Sequence, residues 1–315
     1  MNQKQQYFDM DHALMPDGNI YRVLGNFISD EFFLGYKLYS PAKDGDRLFR
    51  GQPYTKNYTE ESTLPDDVLS TYDLVKKADV VEFFDPIAAA QSKKDSFKGT
   101  VWFELYEKLG ELFGKDSIGI FGSALPGLHL NAIGDIKNDV DFFIQGVDNV
   151  PKLAAHLKEV REDLGFIDYD QPTQQEICKG WAKVFRNENN SFEKIIDRRW
   201  SGMQLNTSIG KVLNTFRFRD TSILTPLDLI DPENIVKTNY IVTGRVKNAV
   251  RGNLYPRMFS VEADGTEIEA YSMWWKFSSP VSDGDEVRVS GNLIKMNGKE
   301  ALLLTNYANH WIQIK

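Results

Sequence analysis

Short apolar segments recur at near-regular intervals from Asn239 to the end of the sequence, and turn sequences separate them. Strands of this length, divided by Gly, Asp and Asn, are typical of small β-barrels. About five strands in about 75 residues is the size of an OB-type barrel. We therefore predict an OB-like barrel at 237–315, after a boundary at 226–233. The predicted strands are Ile241–Val246, Arg257–Val261, Glu267–Tyr271, Val287–Leu293 and Ala301–Leu304.

Composition limits the class of protein. The chain has 315 residues, 42% of them hydrophobic and 26% charged, which fits a globular protein of about two domains. A net charge of −8 argues against a generally basic nucleic-acid binder but leaves a local basic groove open. Cys178 is the single cysteine, so no internal disulfide forms. No apolar run approaches the ~18 residues of a membrane span, and we expect a cytoplasmic protein.

The rest of the chain divides into two further regions. Residues 1–62 read as a β-rich segment that packs on a catalytic domain, with strands at 20–24 and 32–39. Residues 63–232 form the predicted catalytic domain. Its expected elements are one or two helices from Pro65 to about Ser92, a helix at Phe97–Phe113 ended by Gly114, helices at 151–164 and 173–186, and a strand at 211–219.

Two short apolar strands in the centre of the sequence carry the candidate chemistry. The first, at 117–121, runs into Gly122-Ser123, and the second begins with Asp139-Val140-Asp141. Side chains at i and i+2 of a strand share one face, so the two carboxylates point together. Carboxylate oxygens are suitable ligands for Mg²⁺ or Mn²⁺. Glycine lets a backbone approach a phosphate closely, and a serine hydroxyl can bind phosphate oxygens.

This pattern resembles the DNA-polymerase-β-like nucleotidyltransferase superfamily. The similar segments are Ile120–Ser123, Gly127-Leu128-His129 and Asn138–Gly146, and the likeness is greatest to small stand-alone prokaryotic members. The resemblance implies an α+β domain with a mixed sheet and flanking helices. It also implies that Gly122 and Ser123 bind the triphosphate of an NTP or dNTP, and that Asp139 and Asp141 hold the metal ion.

The sequence departs from the family pattern in two respects. The spacing from Ser123 to Asp139 is longer than usual, and the strand at 212–218 contains no third acid. Asp220, just beyond that strand, is the nearest candidate for a third catalytic carboxylate. A turn residue at the end of the strand is an equally good interpretation.

Basic and aromatic residues supply weaker signals. Arg198, Arg199 and Arg217 are candidate phosphate contacts, or alternatively part of a solvated face. His129 is most simply a structural histidine in a loop. Aromatic residues alternate with bases in the barrel, which suits stacking on a single-stranded nucleic acid, docking of a protein partner, or ordinary core packing. These residues are Tyr255, Arg257, Phe259, Trp274, Trp275, Lys276 and Phe277.

The function expected from these observations is metal-dependent, template-independent nucleotidyl transfer. A nucleoside monophosphate would pass from an NTP or dNTP to an oligonucleotide or another hydroxyl acceptor, with release of pyrophosphate. The resemblance also suggests roles in bacterial antiviral defence or in toxin–antitoxin systems. Two alternatives are nucleotidyl transfer to a protein or an RNA, and a catalytically inactive module that binds nucleotide or nucleic acid.

Overall fold

The protein combines three β-sheet regions with few helices. The computed structural model describes residues 6–57, 66–129, 140–181, 198, 200–207, 210–274 and 281–315, with the backbone alone at 179–181 and 210. Within these ranges the chain is a mixed α+β structure that includes a closed five-stranded barrel. No helix in them is long and apolar enough to cross a membrane.

The N-terminal region is a seven-stranded sheet in the order β5-β6-β4-β2-β1-β8, and β7 also pairs with β4. The short β3 lies outside this sheet. The strands are β1 (His12–Leu14), β2 (Ile20–Val23), β3 (Phe27–Ile28), β4 (Phe32–Pro41), β5 (Arg47–Phe49), β6 (Gln52–Lys56), β7 (Asp73–Lys76) and β8 (Glu82–Phe84).

The helices expected before residue 85 are wrong over 66–84. Asp67 caps only a short 3-10 turn at Val68–Thr71, and two strands follow it. Strand β7 pairs with the start of β4, and β8 pairs with β1. Pairing with strands about 40 to 70 residues earlier overrides the local helical preference. The N-terminal sheet therefore extends to residue 84 rather than ending at 62.

The central region follows the predicted helices closely but not its last strand. The expected helices at 97–113 and 151–164 are present. The prediction of a single strand at 211–219 is wrong. The strand is interrupted at Phe216, and the segments before and after it belong to different sheets. The elements are α1 (Pro86–Lys93), α2 (Val101–Phe113), β9 (Ile118–Phe121), β10 (Asp141–Gln145), α3 (Asn149–Leu164), α4 (Gln171–Trp181), β11 (Gly202–Thr207), β12 (Gly210–Thr215), β13 (Arg217–Arg219) and β14 (Thr225–Pro226).

The central sheet has the order β13-β10-β9 and two differently covered faces. Strand β10 is antiparallel to β9 and parallel to β13. Phe142 and Ile144 point into the main core with residues of α2 and α3. Phe143, on the other face, packs in a small cluster with Met10 and Phe121. The N-terminal segment therefore covers part of the face to which Asp141 belongs, since Asp141 and Phe143 are two residues apart.

The C-terminal region is the barrel. Its strands follow the order β15-β16-β17-β19-β18, and pairing of β18 with β15 closes the circle. The β17–β19 pair is parallel, and the other pairs are antiparallel. This arrangement is compatible with the OB-like barrel expected at 237–315. The strands are β15 (Ile235–Lys247), β16 (Arg257–Ala263), β17 (Thr266–Ser272), β18 (Glu286–Met296), β19 (Lys299–Leu304) and β20 (Trp311–Ile314), which pairs with β18.

A buried ion pair joins the N-terminal segment to the central sheet. Arg219 donates to Asp11 at 2.7 Å and to Gln145 at 3.0 Å, and its guanidinium lies 4.5 Å from the centre of the Phe143 ring. Burial raises the pKa of the Asp11 carboxyl to about 7, and the positive charge of Arg219 offsets only part of that rise. The pair is thus held in an environment that penalises either charge alone.

We expect Arg219→Met to lower the free energy of unfolding by about 3 kcal/mol at pH 8, because it leaves the Asp11 carboxylate buried without its partner. The loss should shrink towards pH 6, where Asp11 can take up a proton. Arg245→Met is the matched control, because the Arg245–Glu286 pair is exposed and 3.9 Å long; it should cost less than about 1 kcal/mol. Denaturant titrations of both variants measure the effect, and equal losses would contradict it.

Candidate active site

The Gly-Ser turn follows directly from the end of β9. Gly122 adopts φ +63°, a left-handed conformation that suits glycine, and the chain then turns through residues 122–129. Two backbone hydrogen bonds close the turn: Leu128 N–H to the Ser123 carbonyl at 2.7 Å, and Gly127 N–H to the Ala124 carbonyl at 3.2 Å. Ser123 itself is buried. The turn is therefore a compact structure rather than an open loop.

Asp141 lies against this turn. The register of the antiparallel β9–β10 pair places Asp141 opposite Phe121, the residue before Gly122. A Cβ atom at Gly122 would lie only 2.4 Å from Asp141 Oδ2. The side chain of any other residue at 122 would occupy the position of the carboxylate. The glycine and the acid of the sequence motif thus meet at one point in the fold.

Arg217 lies near this point in the sheet. Neighbouring residues of parallel strands share one face, and the register pairs Arg217 with Phe143. Phe143 is on the same face as Asp141. Arg217 therefore lies on that face, one strand away and about two residues along. Its side chain is half-buried.

Asp220 does not belong to this end of the sheet. It follows Arg219, which is level with Gln145, so Asp220 lies about five residues along β10 from Asp141. At 3.3 Å per residue that separation is about 16 Å. Its carboxylate instead accepts hydrogen bonds from the N–H of Val147 at 2.9 Å and from Ser222 at 2.6 Å. Asp220 therefore does not join Asp141 as a third carboxylate in the site. The alternative interpretation, a turn residue at the end of the strand, describes its position.

The remaining predicted site residues divide into two groups. Arg198 is buried and donates to Asp285 at 2.8 Å and to Ser282 at 3.2 Å, so it links the central region to a loop of the barrel. The role of Arg198 as a phosphate contact stays a prediction, and the ion pair with Asp285 does not favour it, because that pair occupies the guanidinium. Asp139 and Arg199 lie outside the described residues. Within the described ranges, no group of three or more His, Cys, Asp or Glu side chains is arranged to hold a metal ion.

The aromatic residues of the barrel are mainly internal. Tyr255, Phe259 and Trp274 are buried, and Arg257 is buried as well, with Nη1 donating to the Leu254 carbonyl at 2.7 Å. These four side chains therefore do not form an exposed stacking surface. The other three residues of that pattern, 275–277, lie outside the described part of the chain.

Residues of the N-terminal region adjoin the site, and the sequence interpretation missed them. The Arg22 guanidinium lies 5.3 Å from the centre of the Phe121 ring and 3.7 Å from the Asp9 carboxylate. Asp9 and Asp11 share an Asp-x-Asp spacing, which is the signal that the sequence offered. No local pattern connects this spacing with the Gly-Ser motif, because the two lie more than 100 residues apart and the segment after Asp11 shows only strand patterns.

A cluster of basic side chains adjoins the turn. We define it as Lys93, His12 and His129; Lys93 is half-buried. Lys93 Nζ donates to the carbonyl of Ala124 at 3.1 Å and also to that of Leu125. Both histidines are buried, and within the described ranges the ring nitrogens of His129 have no hydrogen-bond partner. Burial and the charge of Arg22 lower the pKa of His12 to about 3, and burial with the charge of Lys93 lowers that of His129 to about 4.

The low pKa of His12 predicts a loss of stability in acid. An unfolded histidine binds a proton below about pH 6.5, whereas folded His12 stays neutral until about pH 3, so stability falls as the pH falls through that interval. We expect His12→Met to gain about 2 kcal/mol relative to wild type between pH 7 and pH 5. The comparison must be made between variants, because Asp11 titrates nearby with the opposite sign.

His156→Met is the control for this measurement, because His156 is an exposed histidine on α3. Its stability difference from wild type should change by less than about 0.5 kcal/mol over the same interval. Denaturant titrations at pH 7, 6 and 5 test the prediction. A constant difference between His12→Met and wild type would contradict the buried neutral state of His12.

Comparison with family models, curated proteins and solved structures gives no match to this chain. The interpretation of the site therefore depends on its own residues.

Proposed function

We propose that the protein is a metal-dependent nucleotidyltransferase that transfers a nucleoside monophosphate to a hydroxyl acceptor. The observation that carries this proposal is the close approach of the Asp141 carboxylate to Gly122 at the start of a tight Gly-Ser turn, where an added Cβ would lie 2.4 Å from Asp141 Oδ2. A phosphate-binding turn and an acidic strand would have to be adjacent for the carboxylates of that strand to hold a metal ion near the triphosphate. The order β9, turn, antiparallel β10 supplies that adjacency.

The sheet is consistent with a polymerase-β-like domain. Strands β9, β10 and β13 form a small mixed sheet, and α2 and α3 contribute to the core on one side of it. The acidic side chain is on the other face, together with Phe143. The sequence resemblance implies a mixed sheet with flanking helices, and this sheet is compatible with that expectation.

Each residue of the site has a separate role in the proposed reaction. The donor set for a metal ion would be the carboxylates of Asp141 and Asp139, whose oxygens suit Mg²⁺ or Mn²⁺. When bound, the ion supplies stabilisation of the negative charge that develops during phosphoryl transfer. Gly122 and Ser123 bind the triphosphate through backbone N–H groups and the serine hydroxyl, and Arg217 neutralises phosphate charge from the neighbouring strand.

The acceptor is a hydroxyl of an oligonucleotide or of another macromolecule. The OB-like barrel is the region that would receive an oligonucleotide, since such barrels bind single strands on their outer face. A protein partner bound by the barrel, and a protein or RNA acceptor, are the alternatives. The position of Asp220 supports a second candidate, a domain that binds nucleotide without transferring it, because this expected third carboxylate lies about 16 Å from Asp141 along the sheet.

Incubation with nucleotides tests the proposal directly. The full chain is mixed with Mg²⁺ or Mn²⁺ and each labelled NTP and dNTP, alone and with RNA or single-stranded DNA, and products are resolved on denaturing gels and by mass spectrometry. We expect a labelled oligonucleotide or a mass increment on protein, with pyrophosphate released. Nucleotide binding without any product would favour the binding-only candidate, and absence of binding would reject both.

Asp141→Asn should abolish the transfer, because an amide oxygen is a weak ligand for Mg²⁺, while the isosteric change preserves the fold. Asp148→Asn is the matched control. Asp148 is exposed seven residues further along, and its side chain makes no capping hydrogen bond at the start of α3. Transfer rates and thermal melting of both variants are compared. Wild-type activity in Asp141→Asn would place the reaction elsewhere.

Gly122→Ala should lower the transfer rate by about 100-fold, because the new Cβ displaces the Asp141 carboxylate by an ångström or more. Gly99→Ala is the matched control: Gly99 has φ +81°, but a Cβ there meets nothing within 4 Å. Both variants pay the cost of a left-handed alanine, about 1–2 kcal/mol, and only Gly122→Ala collides with the site. Equal activities would show that the contact has no role in transfer.

A further inference from the structure

Lys93, the last residue of helix α1, lies against the Gly-Ser turn. The helix begins at Pro86 after Asp85, whose carboxylate accepts hydrogen bonds from the N–H groups of Ile87 and Ala88. It is eight residues long and ends at Lys93. The first turn of the helix is thus fixed by its cap, and its last residue reaches the chain segment that follows β9.

The hydrogen bonds of Lys93 orient the peptide groups of the turn. The carbonyl of Ser123 is engaged by Leu128 N–H, and those of Ala124 and Leu125 are engaged by Lys93. Ala124 and Leu125 are themselves buried. The Lys93 hydrogen bonds therefore fix the backbone on the buried side of the turn, directly after Gly122 and Ser123, the two residues proposed to bind the triphosphate.

Two further contacts hold the end of the turn. Leu128 is buried in the core of the N-terminal sheet with Ile20 and Tyr39, and Arg47 donates to the Leu128 carbonyl at 3.3 Å. His129 packs edge-on against Phe97, with the ring centres 5.3 Å apart. The far end of the turn is therefore anchored by packing. At the Gly122–Leu125 end, the half-buried Lys93 adds side-chain hydrogen bonds to the backbone hydrogen bonds that close the turn.

We propose that Lys93 is a positioning residue that holds the Gly122–Leu125 backbone in the conformation that binds the triphosphate of the nucleotide. The inference rests on the proposed nucleotidyltransferase function. Lys93 acts through the turn and not on the reacting atoms, so its removal weakens nucleotide binding more than it slows the transfer step. An ammonium group suits this task, because it has three donors and can engage two carbonyls at once.

The ionisation of Lys93 gives the inference a pH signature. Burial lowers the pKa of Lys93 to about 8, although the negative charge of Glu82 acts in the other direction. The other titratable groups of the cluster, His12 and His129, have pKa values of about 3 and 4 and stay neutral at higher pH. Above pH 8 the ammonium becomes an amine, a weaker donor, and its hold on the carbonyls weakens.

The experiment compares Lys93→Met and Lys93→Arg with Lys98→Met, which removes an exposed lysine five residues along the chain. KM for the NTP and kcat are measured at pH 7 in the full chain, with thermal melting as a check of folding. We expect KM to rise at least about 10-fold in Lys93→Met, kcat to change less than 3-fold, and Lys98→Met to match wild type. A variant that merely unfolds loses active protein, which lowers the apparent kcat and leaves KM unchanged.

Lys93→Arg is measured from pH 7 to pH 9, where arginine stays charged. We expect KM of the wild type to rise above pH 8 and KM of Lys93→Arg to stay level, and this comparison stands even if Lys93→Met does not fold. An unchanged KM in Lys93→Met, or parallel pH profiles of wild type and Lys93→Arg, would overturn the inference. If wild type and Lys98→Met neither bind nor transfer any nucleotide, the proposed function itself has failed, which is a separate result.

Discussion

The contact between the N-terminal segment and the central sheet determines how the whole molecule is arranged. Arg219 is its centre, because one guanidinium contacts the carboxylate of Asp11, the amide of Gln145 and the ring of Phe143. Burial removes the guanidinium from water, and this raises the free energy of the folded state unless the three partners compensate for the lost hydration. The N-terminal sheet is therefore part of the structure around the candidate site.

The barrel is attached to the same assembly through backbone and hydroxyl groups. Val68 N–H donates to the carbonyl of Thr305, and the Tyr72 and Tyr255 hydroxyls are 3.1 Å apart, with both also donating to the carbonyl of Met273. Arg198 adds an ion pair to the barrel loop at Asp285. Acceptors bound by the barrel would thus be held at a defined place relative to the central sheet.

Local patterns in the sequence predicted the elements whose partners are near in the chain. The helix ending at Gly114 and the barrel strands are of this kind, because apolar periodicity and turn residues are local signals. The strand at 73–76 was missed, since its partner at 32–35 supplies the reason for its conformation. In the candidate site, the adjacency of Gly122 and Asp141 follows from the motif.

The supporting residues of the site were not predictable in the same way. Lys93 and Arg22 approach the turn and β9 from different elements, and no spacing in the sequence links them to Gly122. Asp220 illustrates the converse: a residue close to the expected position in the sequence lies at the far end of the sheet, because β13 runs parallel to β10. Strand direction, which sequence pattern does not specify, decided that outcome.

The length of α1 has a consequence for how this chain can vary. Each residue added to a helix rotates everything after it by about 100° and advances it by 1.5 Å. The number of residues between the Asp85 cap and Lys93 is therefore fixed, since an insertion or a deletion would turn the lysine away from the Ala124 carbonyl. Substitutions that keep the helix are tolerable on its exposed side, so this segment is expected to diverge in composition while its residue count stays fixed.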